Sequence, residues 1–90
     1  MRIEFDPLKS AVNEDERGLS FRAAADFDFE NALYEVDDRY DYGELRIYAL
    51  GRIGARLHVL VFIPIEDGIR VISLRRANRR EVIRHEQETR

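Results

Sequence analysis

Residues 55–63, ARLHVLVFI, decide how the rest of the chain is read. In an extended backbone Leu57, Val59, Val61 and Ile63 share one face, and His58, Leu60 and Phe62 share the other. Apolar side chains on both faces place this strand inside a sheet that is covered on both sides. Downstream, Glu66-Asp67-Gly68 supplies a hairpin turn and Ile69–Leu74 returns as the last strand. Upstream, Gly51-Arg52-Ile53-Gly54 reads as a turn after a strand at Leu45–Leu50. The acidic stretch DDRYDYGE links that strand to another at Leu33–Asp38, and MRIEF at the start alternates as a short first strand. Links this short favour antiparallel neighbours.

Helix signals lie outside the strands. Asp6-Pro7 is a start signal, because Asp6 can cap and proline lacks only an N–H that the first turn does not need. The helix runs to Arg17 and stops at Gly18. Ser20 opens a second predicted helix through FRAAADF, with Phe21, Ala24, Ala25 and Phe27 toward its apolar side. At the far end Asn78 and Glu81 have the spacing of a capping box, so a last helix starts near Asn78 with Val82 and Ile83 as its only large apolar residues. The expected architecture is α+β: two N-terminal helices packed on a small antiparallel sheet of three to five strands, followed by a basic C-terminal helix.

Ninety residues support one domain, read here as residues 1–90, and 44% apolar with 37% charged residues exclude a disordered chain. The longest apolar stretch, Leu57 to Ile65, is interrupted by His58 and Pro64 and is far short of the roughly 20 residues a membrane helix needs. No cysteine is present, so disulfides and thiolate metal sites are excluded. Glu4 and Asp6 stand where a secretion signal would be apolar, and the expected location is the cytoplasm, with no membrane partner.

The net charge of −3 conceals a division. Residues 1–50 hold 13 acids and 6 bases, whereas residues 51–90 hold 5 acids and 9 bases. Fourteen of the fifteen bases are arginine, whose planar fork suits phosphate and carboxylate bidentately. The densest run, RVISLRRANRREVIR at 70–84, holds Arg70, Arg75, Arg76, Arg79, Arg80 and Arg84 against the single acid Glu81. Arginines one helical turn apart repel, so an anion should offset them. Three anions compete: RNA phosphate, an acidic protein partner, and carboxylates from the chain's own first half.

Among proton-transfer candidates, His58 sits mid-strand among apolar residues, and His85 lies one turn after Glu81 on the last helix, close to cations and a carboxylate. Each has a bland alternative, a buried structural side chain for His58 and an exposed helix residue for His85. Asp37, Asp38, Asp41 and Glu44 lack calcium-loop spacing, and no metal or cofactor motif occurs. Tyr34, Tyr40, Tyr42 and Tyr48 could stack on bases or simply pack.

The order of these pieces resembles the BrnT family of bacterial toxins. The matching residues are Phe5-Asp6-Pro7-x-Lys9 with Asn13, Gly18-Leu19-Ser20-Phe21 with Ala24, Gly43-Glu44-x-Arg46, Gly51, and Arg56-Leu57. The most specific piece is Ile69-Arg70-Val71-Ile72-Ser73-Leu74-Arg75-Arg76-Ala77 with Glu81. The resemblance implies a RelE-like fold and a metal-independent endoribonuclease that cleaves mRNA and arrests growth, the toxin half of a type II toxin–antitoxin pair. It implies an RNA-cleaving surface that includes Arg70, Arg75, Arg76 and Arg56. Glu81 and His85 are the candidates for proton transfer, and Arg79, Arg80 and Arg84 for further RNA contacts. The implied partners are RNA and a BrnA-like ribbon-helix-helix antitoxin, with operator DNA bound only through the complex. The chain departs from the family pattern at Glu16-Arg17, Ile63, Ile65 and His85-Glu86. A non-catalytic module that grips an antitoxin through its basic C-terminal region is the alternative.

Overall fold

The computed structural model describes residues 1–39 and 41–89. In chain order the elements are β1 (Arg2–Glu4), α1 (Pro7–Arg17), a 3₁₀ helix (Phe21–Asp26), β2 (Leu33–Val36), β3 (Ile47–Ile53), β4 (Arg56–Ile65), β5 (Gly68–Arg76) and α2 (Arg79–Glu88). The five strands form one sheet in the order β1-β5-β4-β3-β2. Strand β4 is central, and its two faces divide as its alternation requires. Leu60 and Phe62 enter the core with Phe21, Ala24, Phe27, Ala49, Val71 and Leu74. Leu57, Val59 and Val61 join Leu50 on the other face, where Val82 of α2 and Ala77 pack.

Two features of the expected architecture are corrected. The sheet is mixed rather than antiparallel: β1 pairs in parallel with β5, Arg2 opposite Gly68 and Glu4 opposite Arg70. A Cβ on Gly68 would stand 1.8 Å from the Arg2 carbonyl oxygen, so only glycine lets the strands meet there. The second N-terminal helix is not an α-helix. Phe21, Ala24 and Phe27 are buried while Ala25 is exposed, a strict period of three, which is the 3₁₀ repeat. The arrangement of two helices on a small antiparallel sheet is therefore replaced by one α-helix, a 3₁₀ segment and a five-stranded mixed sheet, still α+β.

The local end signals behave as their chemistry dictates. Asp6 Oδ1 accepts from Leu8 N–H at 2.9 Å, and Gly18 closes α1 at φ 71°, a left-handed value that suits glycine. Asn13 Nδ2 donates to the carbonyls of Leu19 and Leu74 at 2.8 and 2.9 Å, tying α1 to β5. The turn expected at Gly51–Gly54 is displaced. Gly51 to Ile53 belong to β3, and the reversal occurs at Gly54-Ala55. Position 51 of that strand suits glycine because the Phe27 ring lies where a Cβ would project, 2.7 Å away.

Candidate functional site

The end of the sheet formed by Ile53, Arg56 and Arg76 carries most of the predicted site residues. There β5 runs out at Arg76, and α2 begins through the capping box: Asn78 Oδ1 accepts from Glu81 N–H at 2.9 Å, and Glu81 Oε1 accepts from Asn78 N–H at 2.8 Å. The Glu81 carboxylate also accepts both arms of the Arg75 fork, at 2.8 and 2.9 Å, and the Tyr48 hydroxyl at 2.7 Å. Four donors thus saturate one carboxylate. The Arg75 hydrogen bonds hold its pKa down at about 2, against a smaller opposing effect of burial, helped by Asn78 N–H and Tyr48. Burial, then the adjacent Glu81 carboxylate, pushes the Tyr48 phenol up to about 12. This knot joins β3, β5 and α2, and it leaves Glu81 no lone pair aimed at an outside proton.

Other guanidinium groups are also occupied. Arg84 donates to Glu35 of β2 at 3.1 Å and to Glu88, one turn on, at 3.0 Å. Arg70 donates to Glu4 at 3.1 Å. Arg70 also lies six residues from Arg76 along β5, about 20 Å in an extended strand, so the two do not share a site. His85, expected near the surface, is buried, and its Nδ1 has no hydrogen-bond partner. His58 is buried as well. Its Nδ1–H donates to the Arg56 carbonyl at 2.9 Å, and since a carbonyl only accepts, that bond assigns the proton to Nδ1.

What remains open is a smaller set. Among the described residues, Arg52, Arg56, Arg76, Arg79 and Arg80 have no carboxylate within ion-pair distance. The first three line one cavity of about 360 Å³ with Leu57, Ala77, Val82 and Glu86. The register brings them to one end of the sheet from two faces: Arg52 stands opposite Leu57 on the face that α2 covers, whereas Arg56, opposite Ile53, and Arg76, opposite His58, belong to the other face. Three arginines, the apolar side chains of Leu57, Ala77 and Val82, and one carboxylate without an ion pair thus line one volume. Arg79 and Arg80 stand on the exposed first turn of α2, where they line a shallow depression with Asn78 and Ile83, and Arg80 also lines a cavity with Glu35, Asp38, Tyr48 and Arg84.

Sequence reasoning passed over Arg52 and Glu86 as site residues. Arg52 was hidden inside a presumed turn, remote from the arginine block, yet extending β3 by three residues would have put it opposite Leu57, at the same end of the sheet as Arg56. The tyrosines mostly pack: Tyr34 donates to the Phe29 carbonyl at 2.6 Å, Arg46 lies 3.8 Å over the Tyr42 ring, and Tyr48 belongs to the Glu81 knot. Tyr40 lies outside the described residues. Among the described residues no group of three or more histidines and carboxylates is placed to hold a metal ion, and no helix is long and apolar enough to cross a membrane.

Fold and site together define a small α+β protein with arginines free of ion pairs lining a cavity at one end of its sheet. The family model described as the ribonuclease toxin BrnT of type II toxin–antitoxin systems matches residues 5–81, and the chain belongs to that family. The family implies a ribonuclease toxin with an antitoxin partner. No curated protein and no solved structure matches the chain.

Proposed function

We propose that this toxin cleaves single-stranded mRNA in the cytoplasm without a metal ion, with the scissile phosphate held among Arg52, Arg56 and Arg76, and that this cleavage arrests growth. The observation that carries the reading is that Arg52, Arg56 and Arg76, none of them in an ion pair, line one cavity at the end of the sheet. In the reaction the ribose 2′-oxygen attacks the adjacent phosphorus in line with the 5′-oxygen. The new P–O2′ bond forms as the P–O5′ bond breaks, leaving a 2′,3′-cyclic phosphate. Glu86, lining the same cavity, accepts the 2′-hydroxyl proton, and the departing 5′-oxygen takes a proton from water. The arginines stabilise the charge that builds on the non-bridging oxygens, an effect worth about 3 kcal/mol for one well-aimed donor.

The other candidates take supporting roles. Arg79 and Arg80 receive neighbouring phosphates. Arg75 and Glu81, saturated by each other, position α2 so that Val82 and Glu86 form the cavity wall. His85 packs beneath that helix, and Arg70 and Arg84 hold the sheet edges through their ion pairs. The antitoxin is a BrnA-like ribbon-helix-helix protein, and operator DNA is contacted through the complex.

Purified protein incubated with RNA in EDTA tests the scheme. The expected products end in 2′,3′-cyclic phosphate, and Arg52→Ala, Arg56→Ala and Arg76→Ala each lower kcat/KM by about 100-fold. Intact RNA at micromolar protein, or cleavage that needs added magnesium, overturns it. Growth arrest that survives removal of all three arginines would make the basic end an antitoxin grip instead.

A further inference from the structure

The chain's other charge extreme is the edge strand β2. Asp37 N–H donates to the Arg46 carbonyl at 2.8 Å, and Leu33, Glu35 and Asp37 therefore form the rungs bonded to β3. Tyr34 and Val36, between those rungs, turn their N–H and C=O groups away from the sheet. Their side chains share one face and are 47% and 56% exposed, on a protein whose other sheet edge is the three-residue β1. The surroundings are acidic. Residues 28–44 hold seven carboxylates, and with Arg39, Arg46, Arg84 and the neighbouring Arg80 counted against them three negative charges remain in excess.

We infer that β2 is a docking edge for an extended, basic segment of the antitoxin, which adds to the sheet as a sixth strand. Main-chain hydrogen bonds to Tyr34 and Val36 supply the pairing, and alternate side chains supply the choice of partner. The segment has period two: apolar residues beside Tyr34 and Val36 on one face, and lysine or arginine on the other, toward Glu35. A second copy of this chain is a poor occupant, because antiparallel β2–β2 pairing sets Glu35 and Asp37 of each copy against like charges. The inference rests on the family's antitoxin partner and is independent of the arginine cavity at the end of the sheet.

Amide hydrogen exchange on the chain alone and in complex with its co-expressed antitoxin tests the assignment. The Tyr34 and Val36 amides are expected to exchange freely in the toxin alone and at least 100-fold more slowly in the complex. Val36→Pro removes an outward N–H that no internal bond uses from an exposed residue, so it should weaken the complex by more than tenfold while the free chain keeps its thermal midpoint. Glu35→Lys with Asp38→Lys should weaken the complex similarly. Amides that stay unprotected in the complex overturn the inference, as does unchanged affinity in all these variants. Protection that instead grows with concentration of the toxin alone assigns the edge to a second copy and overturns it equally.

Discussion

Replacing Glu81 by glutamine removes the charge at the centre of the β3–β5–α2 knot while keeping its shape. The folded carboxyl has a pKa of about 2 against 4.5 for the free side chain. Each unit of that difference corresponds to about 1.4 kcal/mol, so the full shift corresponds to about 3 kcal/mol. The Glu81 side chain is only 14% exposed, but that of Arg75 is 36% exposed, and solvent screening at the arginine reduces the contribution to about 2 kcal/mol. Because the folded pKa is depressed, this stability is present in full above about pH 4.5 and is lost as the pH falls toward about 2. At pH 7 Glu81→Gln should therefore unfold about 10 °C below the parent, on the scale of roughly 4–8 °C per kcal/mol for a domain of this size. By pH 3 more than half of that gap should have closed. Thermal unfolding followed by circular dichroism at pH 7, 5, 4 and 3 measures it. A gap under 2 °C at pH 7, or one that does not shrink with acid, refutes the assignment of the shift to the folded knot.

Three further outcomes follow from particular contacts. Asn13→Ala leaves the Leu74 carbonyl without its side-chain donor and should cost about 2 kcal/mol in urea unfolding. Gly68→Ala drives a methyl group into the Arg2 backbone, so β1 should detach, seen as fast exchange of the Ile3 amide and a thermal midpoint lower by about 10 °C. Arg84→Ala removes only half-exposed ion pairs and should shift stability by less than about 1 kcal/mol, with RNA cleavage within threefold of the parent.

Local chemistry was legible where short-range rules act alone. Asp6-Pro7, Gly18 and the Asn78–Glu81 box each place an element end, because a cap is satisfied by neighbours two or three residues away. The central strand was legible because apolar residues on both faces admit few alternatives. The parallel β1–β5 pairing was not, since it joins residues 66 apart and nothing in MRIEF specifies a direction. The segment after Ser20 misled because Phe21 and Ala24, three apart, fit both helical repeats, and only Phe27 and the exposed Ala25 separate them. Charge was the least legible part. A run of arginines looks uniform in sequence, yet Arg75 and Arg84 are neutralised by carboxylates brought by folding, while the isolated Arg52 joins Arg56 and Arg76.

The pairing of β1 with β5 also orders events in time. Strand β1 has no seat in the sheet until the strand that ends at Arg76 has been made, so a growing chain on the ribosome holds an unfinished sheet until that point. The wall that Arg76, Val82 and Glu86 contribute arrives later still. The cavity therefore exists only after the sheet has closed and the last helix has settled against it.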